Sequence, residues 1–203
     1  MAIKHIIFDF GNVLVTFRPR DYIEKVFTEQ GDRDAVFNLL FNSVTWLQLD
    51  KGVLPLAEAR QIILDKMPQK LKEGTAFLFD NWYKDLAPVS GMEALVGELG
   101  EEGYTLYLLS NIAESFKLYC DNVPVLRHIH HKYLSFEKHL IKPDSRVYLD
   151  FFREYNLNPS ECYYVDDWPY NVEMATALGI PSFLFTDDAE ALKKDMREKG
   201  IRI

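Results

Sequence analysis

Short apolar runs alternate with helix-like segments through most of the chain, and this alternation constrains the fold more than any other feature of the sequence. The apolar runs predict strands over residues 3–8, 104–110, near 133–134, 162–165 and 182–185. Helices are predicted over residues 92–101, 113–120, 145–155, 171–178 and 189–199. Strands that alternate with helices are typical of a parallel sheet covered on both faces. We therefore predict an α/β fold with a doubly wound parallel sheet.

A helical insertion interrupts this pattern after the first strand. Between about residues 18 and 87 the apolar residues recur at helical spacing, as in Ile62, Ile63 and Met67, and no convincing β-branched run occurs. Pro and Gly punctuate the pattern at both ends of this stretch. We predict a core formed by residues 1–17 and 88–203, with a small α-helical bundle, residues 18–87, inserted between its two parts.

Polar residues stand at the ends of three predicted strands. Asp9 directly follows the first strand, Ser110 ends the second, and Asp166 and Asp167 follow the fourth. In a doubly wound sheet, ligands bind at the carboxyl ends of the strands, so we expect these side chains to converge on one rim. Lys142 precedes a predicted helix start and adds a positive charge to the same rim.

The aspartates among these residues indicate a metal. A carboxylate at the edge of an apolar core is costly unless a cation, a proton or several hydrogen bonds compensate it. Asp166 and Asp167 are adjacent and repel each other unless a cation lies between or beside them. Together with Asp9 they form a set of hard oxygen ligands that suits Mg²⁺.

The overall charge narrows the classes of partner. Lys and Arg number 23 against 31 Asp and Glu, which gives a formal net charge of −8. Such a chain repels nucleic-acid phosphate and anionic lipid, so we expect neither nucleic acid nor membrane as a partner. A small phosphorylated metabolite needs only a local positive centre. With no predicted signal segment or membrane span, we expect a cytoplasmic protein, and the sequence sets no oligomeric state.

Four segments, Asp9 to Val13, Leu108 to Asn111, Leu140 to Asp144 and Tyr163 to Asp167, resemble in order and chemistry the motifs of the haloacid dehalogenase (HAD) superfamily. Its members are mostly magnesium-dependent phosphatases, so the resemblance implies a Rossmann-like core, a Mg²⁺ cofactor and a phospho-aspartyl intermediate on Asp9. The resemblance implies that Asp9 and Lys142 are catalytic and that Ser110, Asn111 and Lys142 bind the phosphate. It implies that Asp9, the Gly11 carbonyl and Asp167 bind the metal, with Asp166 behind them or bound through water. Asn171 would support the metal site.

The insertion resembles the helical C1 cap of subfamily I. Trp46 and the turn formed by Asp50, Lys51 and Gly52 fall where such caps present residues to the substrate. The resemblance therefore implies substrate contacts for Trp46 and Lys51. For Trp46, we favour packing in the core or lid over a substrate contact.

Gly11 departs from the superfamily pattern. Most HAD phosphatases carry an Asp at this place, two residues after the nucleophile, to protonate the leaving oxygen. Because this Asp is absent, two other functions stay open. The chain could be a 2-haloacid dehalogenase, which needs no such acid, or a catalytically weakened protein that only binds a phosphorylated ligand. The acidic pair favours the phosphatase. The Asp-x-Gly-Asn-Val form also resembles an α-D-glucose-1-phosphate phosphatase-like branch, which suggests a sugar 1-phosphate with its better leaving group.

Overall fold

A computed structural model describes residues 2–203 of the chain. In this part of the chain, five parallel strands form one sheet in the order β3-β2-β1-β4-β5. The strands are β1 (His5–Phe8), β2 (Thr105–Ser110), β3 (His131–Leu134), β4 (Cys162–Asp166) and β5 (Ser182–Leu184). This arrangement confirms the predicted fold class, a doubly wound α/β sheet.

The strand order places a topological switch point beside β1. From β1 the chain proceeds to β2 and β3 on one side and then crosses to β4 and β5 on the other. Ile7 of β1 pairs with Tyr107 of β2 and with Tyr164 of β4. Because ligands bind in the crevice at such a switch point, the residues that follow β1 and β4 are where a site is expected.

Helices precede, connect and cover the strands. They are α1 (Pro19–Glu24), α2 (Gln30–Leu39), α3 (Val44–Asp50), α4 (Leu56–Lys66), α5 (Lys72–Asn81), α6 (Met92–Glu101), α7 (Ser135–Lys138), α8 (Ser145–Glu154), α9 (Pro169–Ala177) and α10 (Ala189–Glu198). No helix within residues 2–203 has both the length and the apolar composition needed to cross a bilayer.

The three central strands, β1, β2 and β4, bury apolar side chains on both faces because their sequences are almost continuously apolar. Ile6 and Phe8 point into a core that also contains residues of α6 and α10, whereas Ile7 points into a second core formed with α8 and α9. Side chains alternate between the two faces of a strand, so an uninterrupted apolar run requires cover on both. The helices supply that cover.

Residues 18–87, the helical segment, contain α1 to α5 and lie between β1 and β2 in the chain. The aromatic rings of Phe41 and Trp82 pack against Trp46, with centroids 4.8 and 5.6 Å away. These residues belong to or contact the same apolar core as Phe8 of β1. The helical segment therefore shares one apolar core with the first strand of the sheet. Its boundaries as a separate cap remain a proposal, and residue 1 of the predicted core lies outside the described residues.

The prediction of one helix over residues 113–120 is wrong. Two short 3₁₀ turns, Glu114–Leu118 and Cys120–Asn122, occupy this region, and they are separated by Tyr119 with φ −137° and ψ −10°. In this conformation the Tyr119 ring stacks on Tyr83 with centroids 5.2 Å apart. Helical propensity is a weak preference, and packing against the helical segment overrides it here.

Candidate active site

Three neighbouring strands bring predicted site residues to one edge of the sheet. Asp9 directly follows β1, and its backbone N–H donates to the Val165 carbonyl of β4 at 2.9 Å. Ser110 is the last residue of β2 and Asp166 the last of β4. Carboxylate oxygens of Asp9, Asp166 and Asp167 all lie within 4.8 Å of one another. The structure thus brings together the three aspartates that the sequence places at strand ends.

A buried ammonium group lies among these carboxylates. Lys142 Nζ is 2.9 Å from Asp9 Oδ1 and 2.6 Å from Asp166 Oδ2, and 1% of its side chain is exposed. Burial alone would lower the pKa of Lys142, but the negative charges of Asp166 and Asp9 outweigh it and raise the pKa above its usual range. Lys142 therefore remains charged at neutral pH and holds the nucleophile candidate in place.

Asp166 is fully occupied by hydrogen bonds. Its oxygens accept from Lys142 Nζ, the Tyr164 hydroxyl, the Trp168 backbone N–H at 2.8 Å and Asn171 Nδ2 at 2.9 Å. A carboxylate offers about four acceptor sites, so Asp166 has little capacity left for a direct metal bond. Its geometry is that of a group that orients Lys142, with Asn171 in contact with it.

Asp167 has greater capacity to bind a cation, and Asn12, which was not among the predicted site residues, positions it. Asn12 Nδ2 donates to Asp167 Oδ2 at 3.0 Å, while Asn12 Oδ1 accepts from the Phe17 N–H at 2.8 Å. Asn12 has a φ of 54°, a left-handed conformation that asparagine tolerates. The signal in the sequence is an amide in the turn directly after the strand that carries Asp9.

The charges and donor atoms of this site fit a divalent cation. Three carboxylates face one ammonium group, which leaves two unbalanced negative charges. Burial raises the pKa of Asp9, Lys142 opposes this shift, and Asp166 and Asp167 add to it. Among residues 2–203, buried Asp9 Oδ1 has no hydrogen-bond partner apart from its contact with the Lys142 ammonium. Hard oxygen donors with unbalanced charge are what Mg²⁺ binds.

Ser110 and Asn111, both predicted to bind phosphate, are placed differently. Ser110 Oγ lies 3.5 Å from the Asn111 carbonyl, the long limit of a hydrogen bond, so its hydroxyl can donate elsewhere. Asn111 instead forms two hydrogen bonds with the backbone of Lys142. Its Oδ1 accepts from the Lys142 N–H at 2.8 Å, and its Nδ2 donates to the Lys142 carbonyl at 2.9 Å. The Asn111 amide therefore positions Lys142.

Replacing Asn111 by Ala is expected to destabilise the protein and to impair Lys142. Losing both bonds leaves a part-buried N–H and carbonyl unpaired, which costs about 1–3 kcal/mol of the free energy of unfolding. Urea denaturation and kcat measured together check this, with Asn122→Ala as an exposed control. An unchanged free energy of unfolding, combined with weaker inhibition by inorganic phosphate, would instead make Asn111 a direct phosphate ligand.

A cavity of about 70 Å³ lies between the loop after β1 and the helical segment. Gly11 and Ser110 line it from the core, and Trp46 and Asp50 line it from α3. Trp46 thus both lines the cavity and packs among aromatic rings. Lys51 is not among its described lining residues; instead its charge acts on Asp144. From the sequence, Asp50 is predicted only to belong to the turn that Lys51 and Gly52 complete.

The structure is that of an α/β protein with an acidic centre, suited to a cation, at the carboxyl edge of a parallel sheet. A model of the haloacid dehalogenase-like hydrolases matches residues 3–179. The chain belongs to this family, and the resemblance drawn from its four sequence segments is confirmed at the family level.

Named relatives are phosphatases or hydrolases. The chain is 26% identical over 191 residues to a D-ribitol-5-phosphate phosphatase of Bacteroides thetaiotaomicron, a match that covers 89% of this chain and 91% of the relative. It is 26% identical over 191 residues to the sesquiterpene phosphatase astK of Aspergillus oryzae, covering 91% and 90%. It is 25% identical to flavin mononucleotide hydrolase 1 of Arabidopsis thaliana, covering 79% of this chain and 64% of the plant protein.

Solved structures agree with the fold. A HAD family enzyme from Bacteroides thetaiotaomicron in complex with magnesium and inorganic phosphate has a TM-score of 0.71 and 25% identity, covering 94% of this chain and 99% of that one. An L-2-haloacid dehalogenase from Xanthobacter autotrophicus has a TM-score of 0.64 at 17% identity, covering 99% and 85%, a likeness of fold alone. The names of these proteins do not concern a sugar 1-phosphate, and the branch suggested by the first motif remains a prediction.

Proposed function

We propose that this protein is a Mg²⁺-dependent phosphatase that hydrolyses a small-molecule phosphate monoester through a phospho-aspartyl intermediate on Asp9. The observation that carries the proposal is the placement of Asp9 between the buried Lys142 ammonium, 2.9 Å away, and the carboxylate of Asp167. A metal–phosphate complex of a structural relative and the phosphatase names of two curated relatives support it.

Each residue has a role in this reaction. Asp9 attacks phosphorus, and Lys142 neutralises the nucleophile and one phosphoryl oxygen. The Ser110 hydroxyl donates to a second oxygen. Asp9, Asp167 and the Gly11 carbonyl would hold Mg²⁺, with Asp166 behind them, and the bound ion would balance the remaining negative charge of the site and the substrate. Because the transition state is loose, positioning and charge neutralisation supply most of the rate increase.

The substrate class is a small phosphorylated metabolite. The part-enclosed cavity beneath α3 admits a compact group, and its aromatic lining suits an apolar or sugar face. A sugar phosphate, including a sugar 1-phosphate, remains within this proposal. A screen of phosphate esters that range from pentitol and sugar phosphates to aryl phosphates tests it directly.

Magnesium removal is expected to abolish hydrolysis, because Asp9, Asp166 and Asp167 repel one another without a cation. Mg²⁺ should also raise the free energy of unfolding, by about 2.7 kcal/mol at 100 times its dissociation constant. Phosphate release and thermal unfolding, each with EDTA and with added Mg²⁺, measure both effects. Asp167→Asn should lose the thermal shift, while Asp34→Asn, an exposed aspartate, should keep it.

Other outcomes distinguish the alternative functions. If the protein releases halide from a 2-haloacid, and does so in metal-free buffer, it is a dehalogenase-like enzyme. Saturable phosphate binding that depends on Mg²⁺, without turnover of any ester, would identify a protein that only binds the phosphorylated ligand.

A further inference from the structure

Cleavage of an alkyl phosphate requires a proton for the leaving oxygen, and the site described above leaves this requirement unmet. This inference rests on the proposed phosphatase function. Lys142 is held as an ammonium by two ion pairs, and Asp166 is engaged by four donors. Asp9 is the nucleophile, Asp167 would bind the cation, and Gly11 has no side chain. The proton must therefore come from another group at the cavity.

Asp50 lies where such a group is needed. It is the last residue of α3 and lines the cavity together with Gly11 and Ser110. Among the described residues that line this cavity, Asp50 is the one carboxylic acid; Tyr119 is the other titratable group. Burial raises the pKa of the Tyr119 hydroxyl far above neutrality, so it releases a proton poorly.

The backbone around Asp50 is fixed to the core, independently of its side chain. Ser135 Oγ donates to the Asp50 carbonyl, and the His139 ring lies 3.1 Å from the Lys51 carbonyl. Gly52 has a φ of +67°, and a Cβ there would lie 2.0 Å from the Phe136 carbonyl oxygen, so this close approach requires glycine. The turn that follows α3 is thereby anchored, and Asp50 lines the cavity from a defined place.

The surroundings of Asp50 favour its protonated form. Burial raises its pKa to about 7, the charge of Asp9 adds to this shift, and a hydrogen bond from Trp46 opposes it. A carboxyl that exchanges its proton near neutral pH can both give and take a proton during turnover.

We propose that Asp50 is the general acid and base of this enzyme, in the place that Gly11 leaves empty. As Asp9 Oδ bonds to phosphorus, the bond from phosphorus to the ester oxygen breaks, its electron pair goes to that oxygen, and Asp50 protonates it to release the alcohol. The Asp50 carboxylate then takes a proton from water as the water oxygen bonds to phosphorus. The bond from phosphorus to Asp9 breaks, which restores the Asp9 carboxylate, protonated Asp50 and inorganic phosphate.

The test compares leaving groups in the full-length wild type and in Asp50→Asn, with Mg²⁺ present. For an alkyl phosphate, kcat/KM should fall about 10²–10⁴-fold, the usual contribution of general acid catalysis. For 4-nitrophenyl phosphate, kcat/KM should fall less than about tenfold, because its weakly basic leaving group needs no proton and gains little from a general acid. Loss of the base should also produce a burst of 4-nitrophenol followed by slow turnover. Asp50→Ser provides a second variant without the acid, in case Asn disturbs the turn.

Gly11 allows a rescue within the same cavity. Its φ is not left-handed, and a Cβ there would meet only Phe17 Cβ, at 3.5 Å, an ordinary contact. Gly11→Asp in the Asp50→Asn background is therefore expected to restore at least part of the alkyl phosphate activity. Tyr119→Phe, which changes the same cavity without removing a carboxyl, should leave the ratio between the two substrates unchanged.

An equal loss for both substrates in Asp50→Asn and Asp50→Ser, or no loss for either, would overturn the role of Asp50 while leaving the phosphatase proposal intact. A wild type that hydrolyses neither ester in the presence of Mg²⁺ would overturn the proposed function itself, and with it this inference.

Discussion

Replacing Asp9 by Asn should abolish turnover while the protein stays folded. The amide keeps the shape of the side chain but is not a nucleophile, so we expect kcat to fall by about 10⁴-fold or more, as in other enzymes that lose a covalent nucleophile. Release of inorganic phosphate from 4-nitrophenyl phosphate measures this. Asp34→Asn, in an exposed ion pair with Arg20, should retain full activity.

Thermal unfolding across pH separates loss of chemistry from loss of fold. The pKa of Asp9 is raised in the folded state, chiefly by burial, so its contribution to stability is present at acid pH and is lost as pH rises through the folded pKa. In metal-free buffer the uncharged Asn variant should therefore be at least as stable as the wild type above neutral pH. Substantial turnover by a folded Asp9→Asn protein would rule out the covalent mechanism.

Replacing Lys142 by Met should lower both activity and stability. The variant loses the positive charge beside the nucleophile, and we expect kcat/KM to fall by about 10³-fold, the upper range for removing one donor that stabilises a transition state. It also leaves the carboxylates of Asp9 and Asp166 without their buried partner, which typically costs about 3–5 kcal/mol. Steady-state kinetics and urea denaturation at neutral pH measure the two effects.

The direction in which the pKa of Lys142 is shifted determines the pH at which this stability should be measured. Its pKa is raised in the folded state, so its contribution to stability is fully present below its ordinary pKa and is lost only in strong alkali. Lys4→Met, which removes a 58%-exposed partner of Glu161, is the matched control and should cost less than about 1 kcal/mol. A near-normal kcat/KM in a folded Lys142→Met protein would assign Lys142 a structural role alone.

The place of Asp50 changes what Gly11 implies about substrates. From Gly11 alone, the enzyme should depend steeply on the leaving group and favour a sugar 1-phosphate. With Asp50 as the acid, the wild type should show a shallow dependence, and the steep one should appear only in Asp50→Asn. Ordinary alkyl phosphates, such as a pentitol phosphate, then become as accessible to the reaction as anomeric ones.

Local sequence predicted much of the fold because the relevant signals are local. The continuous apolar runs of β1 and β4 require cover on both faces, and the following aspartates mark where each strand ends. Residues 113–120 were predicted as one helix but form two 3₁₀ turns, and no local pattern shows that Tyr119 stacks on Tyr83, a contact with the helical segment.

The alternation of apolar runs with helical segments predicted a parallel α/β sheet, and the charged residues at the strand ends predicted that Asp9, Asp166 and Asp167 meet at its carboxyl edge, because both signals lie in short stretches of sequence. The hydrogen bonds from Asn111 to the Lys142 backbone and the place of Asp50 in the cavity beside Gly11 became visible in the folded structure alone. These contacts join segments far apart in the chain, and no local pattern of residues encodes which distant segments meet.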